Sequence, residues 1–176
     1  MRKHSLFLVI FLVALAAFAD SAEAQVLSPP AKAACKFADG KLISVNYSSP
    51  RMRGRKIFGD LVPFGEVWRV GADDATTFVL GADVTVNGKN IPAGKYTMFA
   101  LPPPNKWTLI VSKQAGEWGI PYPGERFDFA RMDMKISKLS ARLENFTISF
   151  DASGTSCTMK FDWELTRASI EIAEKK

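Results

Sequence analysis

Apolar and polar residues alternate with a period of two along most of this chain, and this alternation constrains the fold more than any other feature. Ile43, Val45 and Tyr47 occupy alternate positions, with polar residues between them, as expected for a half-buried strand. Similar alternation recurs at residues 84–86, 95–101, 107–111, 130–136, 146–150 and 159–165. No stretch of ten or more residues shows a clear helical period. We therefore predict an all-β fold, a single antiparallel β-sandwich of about eight or nine strands that is jelly-roll-like or Greek-key.

Turn-forming residues separate the alternating segments. Asn87-Gly88 is a strong signal for a two-residue hairpin. The prolines at 102–104 end the strand before them because proline has no N–H to donate to a sheet. Near the C-terminus, the alternation stops at Leu165, and we predict that Thr166-Arg167 turns the chain into a last strand containing Ile170 and Ile172.

The N-terminal residues have the plan of a secretory signal peptide. Basic residues precede an apolar run from Leu6 to Ala19, and Ala22-Glu23-Ala24 is a small-x-small cleavage site. The run of 14 residues is shorter than a membrane-spanning helix requires. We predict a signal peptide over residues 1–24, a flexible leader over 25–34 and the β-sandwich domain over 35–176. The mature chain is expected to be exported through the inner membrane, to the periplasm or beyond, with no transmembrane segment.

The histidine content restricts the chemistry that the mature chain can perform. The only histidine, His4, lies in the predicted signal peptide. Its position excludes Ser-His-Asp and Cys-His catalysis, as well as histidine-ligated metal sites, in the mature chain. We predict no cofactor and no metal. The formal charge of +5 suits an anionic partner but also serves solubility, and export argues against nucleic acid.

Two cysteines, Cys35 and Cys157, remain after the signal peptide. Exported proteins mature in an oxidising compartment, where an even number of cysteines indicates a disulfide. The sequence therefore predicts a Cys35–Cys157 bond. The alternative is two separate buried thiols, because free cysteine often serves as a small core residue.

The segment 49–78 departs from the alternating pattern. It contains glycines and prolines together with a basic run, Arg51, Arg53, Arg55 and Lys56. We predict one long ordered loop here, and ordered loops of this length are often functional. The basic run favours either an anion-binding site or a solvated loop face.

Within this loop, five residues form the candidate ligand-binding site. Arginine offers a planar fork of donors for carboxylate or phosphate, and tryptophan offers a flat face for a sugar ring or a cation. The candidates are Arg55, Trp68, Arg69, Asp73 and Asp74. The alternative is structural, with Trp68 in the core and an ion pair between Arg69 and one of the two aspartates.

The loop also resembles a known family. Four blocks carry the resemblance: Gly54-Arg55-Lys56-Ile57-Phe58-Gly59, Leu61-Val62-Pro63-Phe64-Gly65, Trp68-Arg69-Val70-Gly71-Ala72 and Ala75-Thr76-Thr77. Together they are similar to the signature of a bacterial secreted family known only as a domain of unknown function. The similarity extends through Pro92 to Tyr96 and to Trp107 and Trp118. It implies an exported bacterial β-domain and brings no established activity. One departure is Asp73-Asp74, where members often carry Asn-Glu.

Three functions remain open for such a chain. The first is a non-catalytic binding or interaction domain for a small polar or glycan-like ligand, which the absence of a nucleophile–base pair favours. The second is a histidine-free, carboxylate-dependent hydrolase of envelope saccharides or esters that uses Asp73, Asp74 and Arg69. The third is a structural or assembly module of the cell envelope, whose partner the sequence does not indicate.

Overall fold

Nine β-strands supply nearly all the regular structure in the computed structural model, which describes residues 27–116 and 118–176. The strands are β1 (Pro30–Lys36), β2 (Leu42–Ser48), β3 (Thr77–Leu80), β4 (Val84–Val86), β5 (Lys89–Ile91), β6 (Gly94–Leu101), β7 (Trp107–Ser112), β8 (Asp128–Ser153) and β9 (Ser156–Glu174). One turn of 3₁₀ helix, Glu125–Phe127, precedes β8. No helix in these ranges is long and apolar enough to cross a membrane. The predicted signal peptide lies outside the described residues.

The strands form one antiparallel sheet in the order β1-β2-β3-β6-β7-β8-β9-β4-β5. Successive strands are neighbours except for the hairpin β4–β5, which leaves the meander after β3 and pairs with β9 instead. Asn87 and Gly88 join the two strands of this hairpin with φ values of 48° and 76°, as a two-residue turn of the predicted kind requires. The predicted all-β, antiparallel class and the number of strands are confirmed.

The long strands β8 and β9 bend where their pairing is irregular. Lys138 pairs with Thr166, but Leu143 pairs with Glu164, so β8 contains extra residues between these two points. Glu164 has φ 56°, in the left-handed region. Such bulges bend a strand pair and increase its twist. The predicted turn at Thr166-Arg167 is therefore wrong, because β9 continues through both residues.

The bend brings the two ends of the sheet together around one core. The Ala38 amide in the turn after β1 donates to the Gly154 carbonyl oxygen beyond the end of β8, at 3.0 Å. Cys35 on β1 and Cys157 on β9 form a disulfide with their Cα atoms 6.3 Å apart. The predicted disulfide is confirmed. Buried side chains from every strand meet in a single cluster between the two halves of the bent sheet.

The predicted flexible leader is wrong in its second half. Residues 30–34 belong to β1, which pairs with β2 from Pro30 to Lys36. Ala31 and Ala33 are partly buried against the core and Cys35 is buried, so these small residues line the inner face of an edge strand. Proline is tolerated at the start of an edge strand because no neighbour requires its N–H.

Candidate functional site

The loop between β2 and β3, residues 49–76, supplies part of the core. Its buried apolar side chains are Met52, Ile57, Phe58, Val62 and Val70. Backbone hydrogen bonds tie the loop to the sheet, among them one from the Met52 amide to the Glu144 carbonyl oxygen at 2.9 Å and a pair between Trp68 and Ala100 in both directions at 2.8 Å. The predicted long ordered loop is confirmed, with β3 beginning at Thr77.

A tight turn at Gly59 helps to shape this loop. The Gly59 amide donates to the Val62 carbonyl oxygen at 2.9 Å, and Gly59 has φ 84°. A Cβ atom at this position would lie 2.5 Å from the Phe64 ring. Glycine is therefore required both by the backbone conformation and by the ring that covers the turn.

Trp68 lies at the centre of an aromatic cluster that joins the loop to the sheet. Its ring is nearly parallel to that of Trp163, at 22° with centroids 6.0 Å apart. Edge contacts connect it to Phe146 at 4.9 Å, to Trp107 at 6.2 Å and to Phe58 at 6.3 Å. Edge-to-face pairs of this kind stabilise a core beyond the area that they bury. Trp68 is thus a structural residue, although part of its ring remains accessible.

After Trp68, the chain makes a strained turn that a buried threonine secures. Val70 has φ 55°, a left-handed conformation that is costly for a β-branched residue. Its carbonyl oxygen accepts a hydrogen bond of 2.7 Å from the Thr76 hydroxyl, and both residues are fully buried. This bond holds together the two ends of the segment that carries Asp73 and Asp74, and Arg69 directly precedes that segment.

Replacing Thr76 by valine is expected to lower the free energy of unfolding by about 1–3 kcal/mol, because the Val70 carbonyl oxygen would be buried without a partner. The substitution preserves side-chain volume, so a cavity does not contribute. Urea denaturation measures the change. The matched control is Thr77→Val, on a neighbouring residue that is less buried, which should cost less than 0.5 kcal/mol. Equal losses in both variants would contradict the role given to the Thr76 hydroxyl.

Arg51 and Arg55 are oriented by oxygen atoms of the loop itself. The Arg51 guanidinium donates to the Ser49 hydroxyl, with Nη1 and Oγ 3.2 Å apart. Arg55 donates from Nε to the Met52 carbonyl oxygen at 3.0 Å and from Nη2 to the Arg51 carbonyl oxygen at 2.8 Å. Since these acceptors carry no formal charge, they direct the two side chains without neutralising them. The remaining N–H groups can still donate to a ligand.

Backbone carbonyl oxygens also orient Arg53 and Arg69. Arg53 Nη2 donates to the Leu27 carbonyl oxygen at 3.0 Å, and Arg69 Nη1 donates to the Asp73 carbonyl oxygen at 2.6 Å. The Arg69 guanidinium also lies 5.9 Å from the centre of the Trp118 ring. A cation over an aromatic face is held without losing its charge.

These four arginines line a single cleft of about 400 Å³, which we call the arginine cleft. Trp68 and Trp163 also line it, and its other apolar walls come from Leu27, Pro50, Leu61, Val62, Pro63, Val67 and Ile120. Glu66 is the one acidic side chain among the lining residues of this cleft, so four arginines and one glutamate give a formal charge of +3. The cleft combines an apolar interior with a strongly basic lining.

The arginines of the cleft differ from most other arginines in the described part of the chain. Three of the four outside the cleft form ion pairs: Arg131 with Asp128, Arg142 with Glu164, and Arg167 with Asp162. Within residues 27–116 and 118–176, no ion pair involves a cleft arginine. Four positive charges are therefore gathered around one cavity, and none of them is ion-paired with a carboxylate of residues 27–116 or 118–176.

Asp73 and Asp74 do not join the other candidates in the cleft. Both are exposed, and Asp74 lines a separate depression of about 430 Å³ together with Lys32 and Asn46. Arg69 binds the backbone oxygen of Asp73, and no ion pair joins it to either aspartate among the described residues. In those ranges, no three His, Cys, Asp or Glu side chains are placed to hold a metal ion.

A second loop, between β7 and β8, forms one wall of the arginine cleft. It carries Ile120, and it is fixed to the sheet by a network in which the Tyr122 hydroxyl donates to Asp128 at 2.6 Å. Arg131 Nε donates to the other oxygen of Asp128 at 2.6 Å. Burial, and then the bond to Asp128, raise the pKa of Tyr122 to about 12, so the phenol stays protonated and remains a donor. A phenol of ordinary pKa is already protonated at neutral pH, so the raised pKa extends this hydrogen bond to alkaline pH.

Sequence reasoning placed Arg55, Trp68 and Arg69 in one site, and the structure brings these three to the cleft. It did not predict that Trp163 lines the cleft, because Trp163 is distant in sequence and has the alternation of an ordinary strand residue. Arg51 and Arg53 belong to the basic run that the sequence analysis treated separately. Their closeness to Arg55 in the sequence was the available signal, although the turn at Arg53 and Gly54, both with positive φ, could not be predicted from it.

The fold and the cleft define the class of protein: an open, antiparallel β-domain whose longest loop builds a basic, tryptophan-lined cleft. The chain belongs to the family described as protein of unknown function (DUF2911), whose model matches residues 28–172. This confirms the predicted membership of a domain-of-unknown-function family, and the match includes the whole loop. No curated protein and no solved structure matches the chain.

Proposed function

We propose that this protein is an exported, non-catalytic binding domain that holds a small amphipathic anion in the arginine cleft. The observation that carries the proposal is the gathering of four arginines around a cavity of about 400 Å³, where no ion pair within the described part of the chain neutralises them. Guanidinium groups match the geometry of carboxylate and phosphate oxygens, and small-molecule sites have cavities of this size. The sequence supports export through its signal-like N-terminus, and the disulfide suits an oxidising compartment.

The chemistry of the cleft favours an anion with an apolar portion over a neutral glycan. Sugar-binding sites present an open aromatic face, but Trp163 is buried and Trp68 is surrounded by other rings. The arginine donors instead match an anionic head group, while Leu27, Leu61 and Ile120 offer contacts to an apolar body. The hydrolase alternative is less well supported because Asp73 and Asp74 lie outside the cleft.

Isothermal titration with octyl phosphate, octyl glucoside and inorganic phosphate tests the proposal, with each surfactant kept below its micelle concentration. We expect octyl phosphate to bind best, because it alone satisfies both parts of the cleft. The variant Arg53→Gln/Arg69→Gln should weaken its binding by at least about tenfold, since each lost hydrogen bond to a charged group is worth about 1.5–3 kcal/mol.

The matched control is Lys95→Gln/Lys135→Gln, which removes the same formal charge from two exposed lysines that line neither the cleft nor the neighbouring depression at Trp118 and Ile120. Binding of octyl phosphate to this control should stay within about twofold of the unmodified protein, because exposed charges at a distance are screened by salt. The proposal is wrong if octyl phosphate gives no heat at millimolar concentration, or if both variants weaken binding equally. Tight binding of octyl glucoside that survives the cleft variant would favour the glycan ligand instead.

A further inference from the structure

Exposed apolar side chains concentrate around the mouth of the arginine cleft. The described part of the chain has six large apolar residues with exposed side chains: Leu27, Leu42, Leu61, Phe64, Trp118 and Ile120. Of these, Leu27, Leu61 and Ile120 line the cleft itself. Trp118 lies against Arg69, and Phe64 follows the cleft residue Pro63. Only Leu42, on β2, is not associated with this region.

Two loops present four of these apolar residues. Leu61 lies within the turn that the Gly59 amide closes on the Val62 carbonyl oxygen, and Phe64 follows that turn. Trp118 is 58% exposed and Ile120 is 60% exposed, although the loop that carries both is tied to the sheet through Tyr122 and its partners. Exposing such residues in water is unfavourable, and concentrations of them on a monomer commonly mark an interaction surface.

The charges between these residues indicate what the surface contacts. Arg53 and Arg55 are exposed beside Leu27 and Leu61, and Arg69 lies beside Trp118. Leucine, phenylalanine and tryptophan that protrude from separate turns, with arginines between them, suit the boundary between lipid head groups and acyl chains. Each basic residue near an anionic bilayer contributes roughly 1 kcal/mol of attraction.

We propose that the mouth of the arginine cleft docks on the surface of a bilayer that contains anionic phospholipid. Leu27, Leu61, Phe64, Trp118 and Ile120 enter the interface, and the arginines contact lipid phosphates. The protein binds peripherally, and the cleft then opens toward the membrane, where amphipathic anions are concentrated. This docking does not require the proposed function to be correct, because it depends on the rim of the cleft rather than on its interior.

Cosedimentation with vesicles tests the docking surface. The processed protein, with its N-terminus determined by mass spectrometry, is mixed with vesicles of phosphatidylcholine alone or with phosphatidylglycerol added. We expect binding to the vesicles that contain phosphatidylglycerol and at least about tenfold weaker binding to phosphatidylcholine. Raising the salt concentration from 0.1 M to 0.5 M should weaken the binding strongly, because it screens the attraction between arginine and phosphate.

The variant Phe64→Ser/Trp118→Ser changes two rim residues that do not line the cleft. We expect it to bind the anionic vesicles at least about tenfold more weakly, while Leu42→Ser, the matched control, stays within about twofold. Titration of the single variant Phe64→Ser with octyl phosphate separates this proposal from the proposed function, because Phe64 does not line the cleft, whereas Trp118 contacts Arg69. Retained octyl phosphate binding with lost vesicle binding supports docking by the rim, whatever the ligand of the cleft.

Three results would overturn the docking proposal. The first is that the unmodified protein does not sediment with vesicles containing phosphatidylglycerol. The second is that the Phe64→Ser/Trp118→Ser variant sediments as well as the unmodified protein. The third is a concentration-dependent dimer, seen by analytical ultracentrifugation and abolished by the same variant, since a second copy would then cover the surface. If the variant fails to fold, quenching of tryptophan fluorescence by brominated lipids replaces it. Quenching in anionic vesicles is expected, and its absence would refute docking.

Discussion

Removing the disulfide by the double change Cys35→Ala/Cys157→Ala is expected to lower the free energy of unfolding by about 4 kcal/mol. The bond closes a loop of 122 residues, and a crosslink that long strongly restricts the unfolded chain. It also joins β1, at one edge of the sheet, to β9. Thermal unfolding followed by circular dichroism should show a decrease of roughly 10 °C in the melting temperature.

Chemical reduction of the unmodified protein provides the control for this prediction. Reductant should lower the melting temperature of the unmodified protein toward that of the double variant, and it should leave the double variant unchanged. A reduced protein as stable as the oxidised one would show that packing alone holds β1 against β9. The restriction of the unfolded chain would then contribute little to stability.

Replacing Trp163 by alanine is expected to cost about 3–5 kcal/mol of stability, since it empties a large buried site. Trp163 is 1% exposed, and its ring packs on Trp68 and Phe58. Its Nε1–H donates to the Glu144 carbonyl oxygen at 3.1 Å, and that acceptor would lose its side-chain partner. Urea denaturation measures the loss. The same variant should bind octyl phosphate more weakly, because Trp163 also lines the arginine cleft.

The matched control is Trp118→Ala, which removes the same side chain from an exposed position. We expect this control to change the free energy of unfolding by less than about 0.5 kcal/mol. The loss of stability in Trp163→Phe should fall between the losses in Trp163→Ala and Trp118→Ala, because an aromatic ring is retained but the hydrogen bond to the Glu144 carbonyl oxygen is lost. If Trp163→Ala and Trp118→Ala lose similar stability, the aromatic cluster does not anchor the loop to the sheet.

The alternation of side chains was sufficient to predict the class of fold, because a strand with one buried face must repeat every two residues. The prediction from alternation failed where the inward-facing positions of a strand change from odd-numbered to even-numbered residues. Along β9, the buried apolar residues are odd-numbered up to Trp163 and even-numbered from Ala168 onward. A change of phase looks the same in the sequence whether it comes from a turn or from a bulge. The bulge at Glu164 is decided by pairing with β8, which depends on residues far away in the chain.

The candidate site was predicted in part, for a similar reason. Arg55 and Arg69 were recognisable because a basic, glycine-rich loop interrupts a regular pattern of strands. Asp73 and Asp74 were grouped with Arg69 because they are close in sequence, but the turn at Val70 carries their side chains away from the cleft. Whether an arginine has a carboxylate partner depends on tertiary contacts, so the sequence alone does not reveal which arginines are uncompensated.

The central claim is that the cleft arginines bind an anion, and nuclear magnetic resonance tests it most directly. Arginine Nε–Hε signals are followed while octyl phosphate is added to the ¹⁵N-labelled protein. The account predicts saturable shifts for the four signals of the cleft, from Arg51, Arg53, Arg55 and Arg69. The signals of Arg131 and Arg167, which are paired with carboxylates, should remain in place. Unchanged signals from the cleft arginines at saturating octyl phosphate, or equal shifts of all arginines, would contradict the claim.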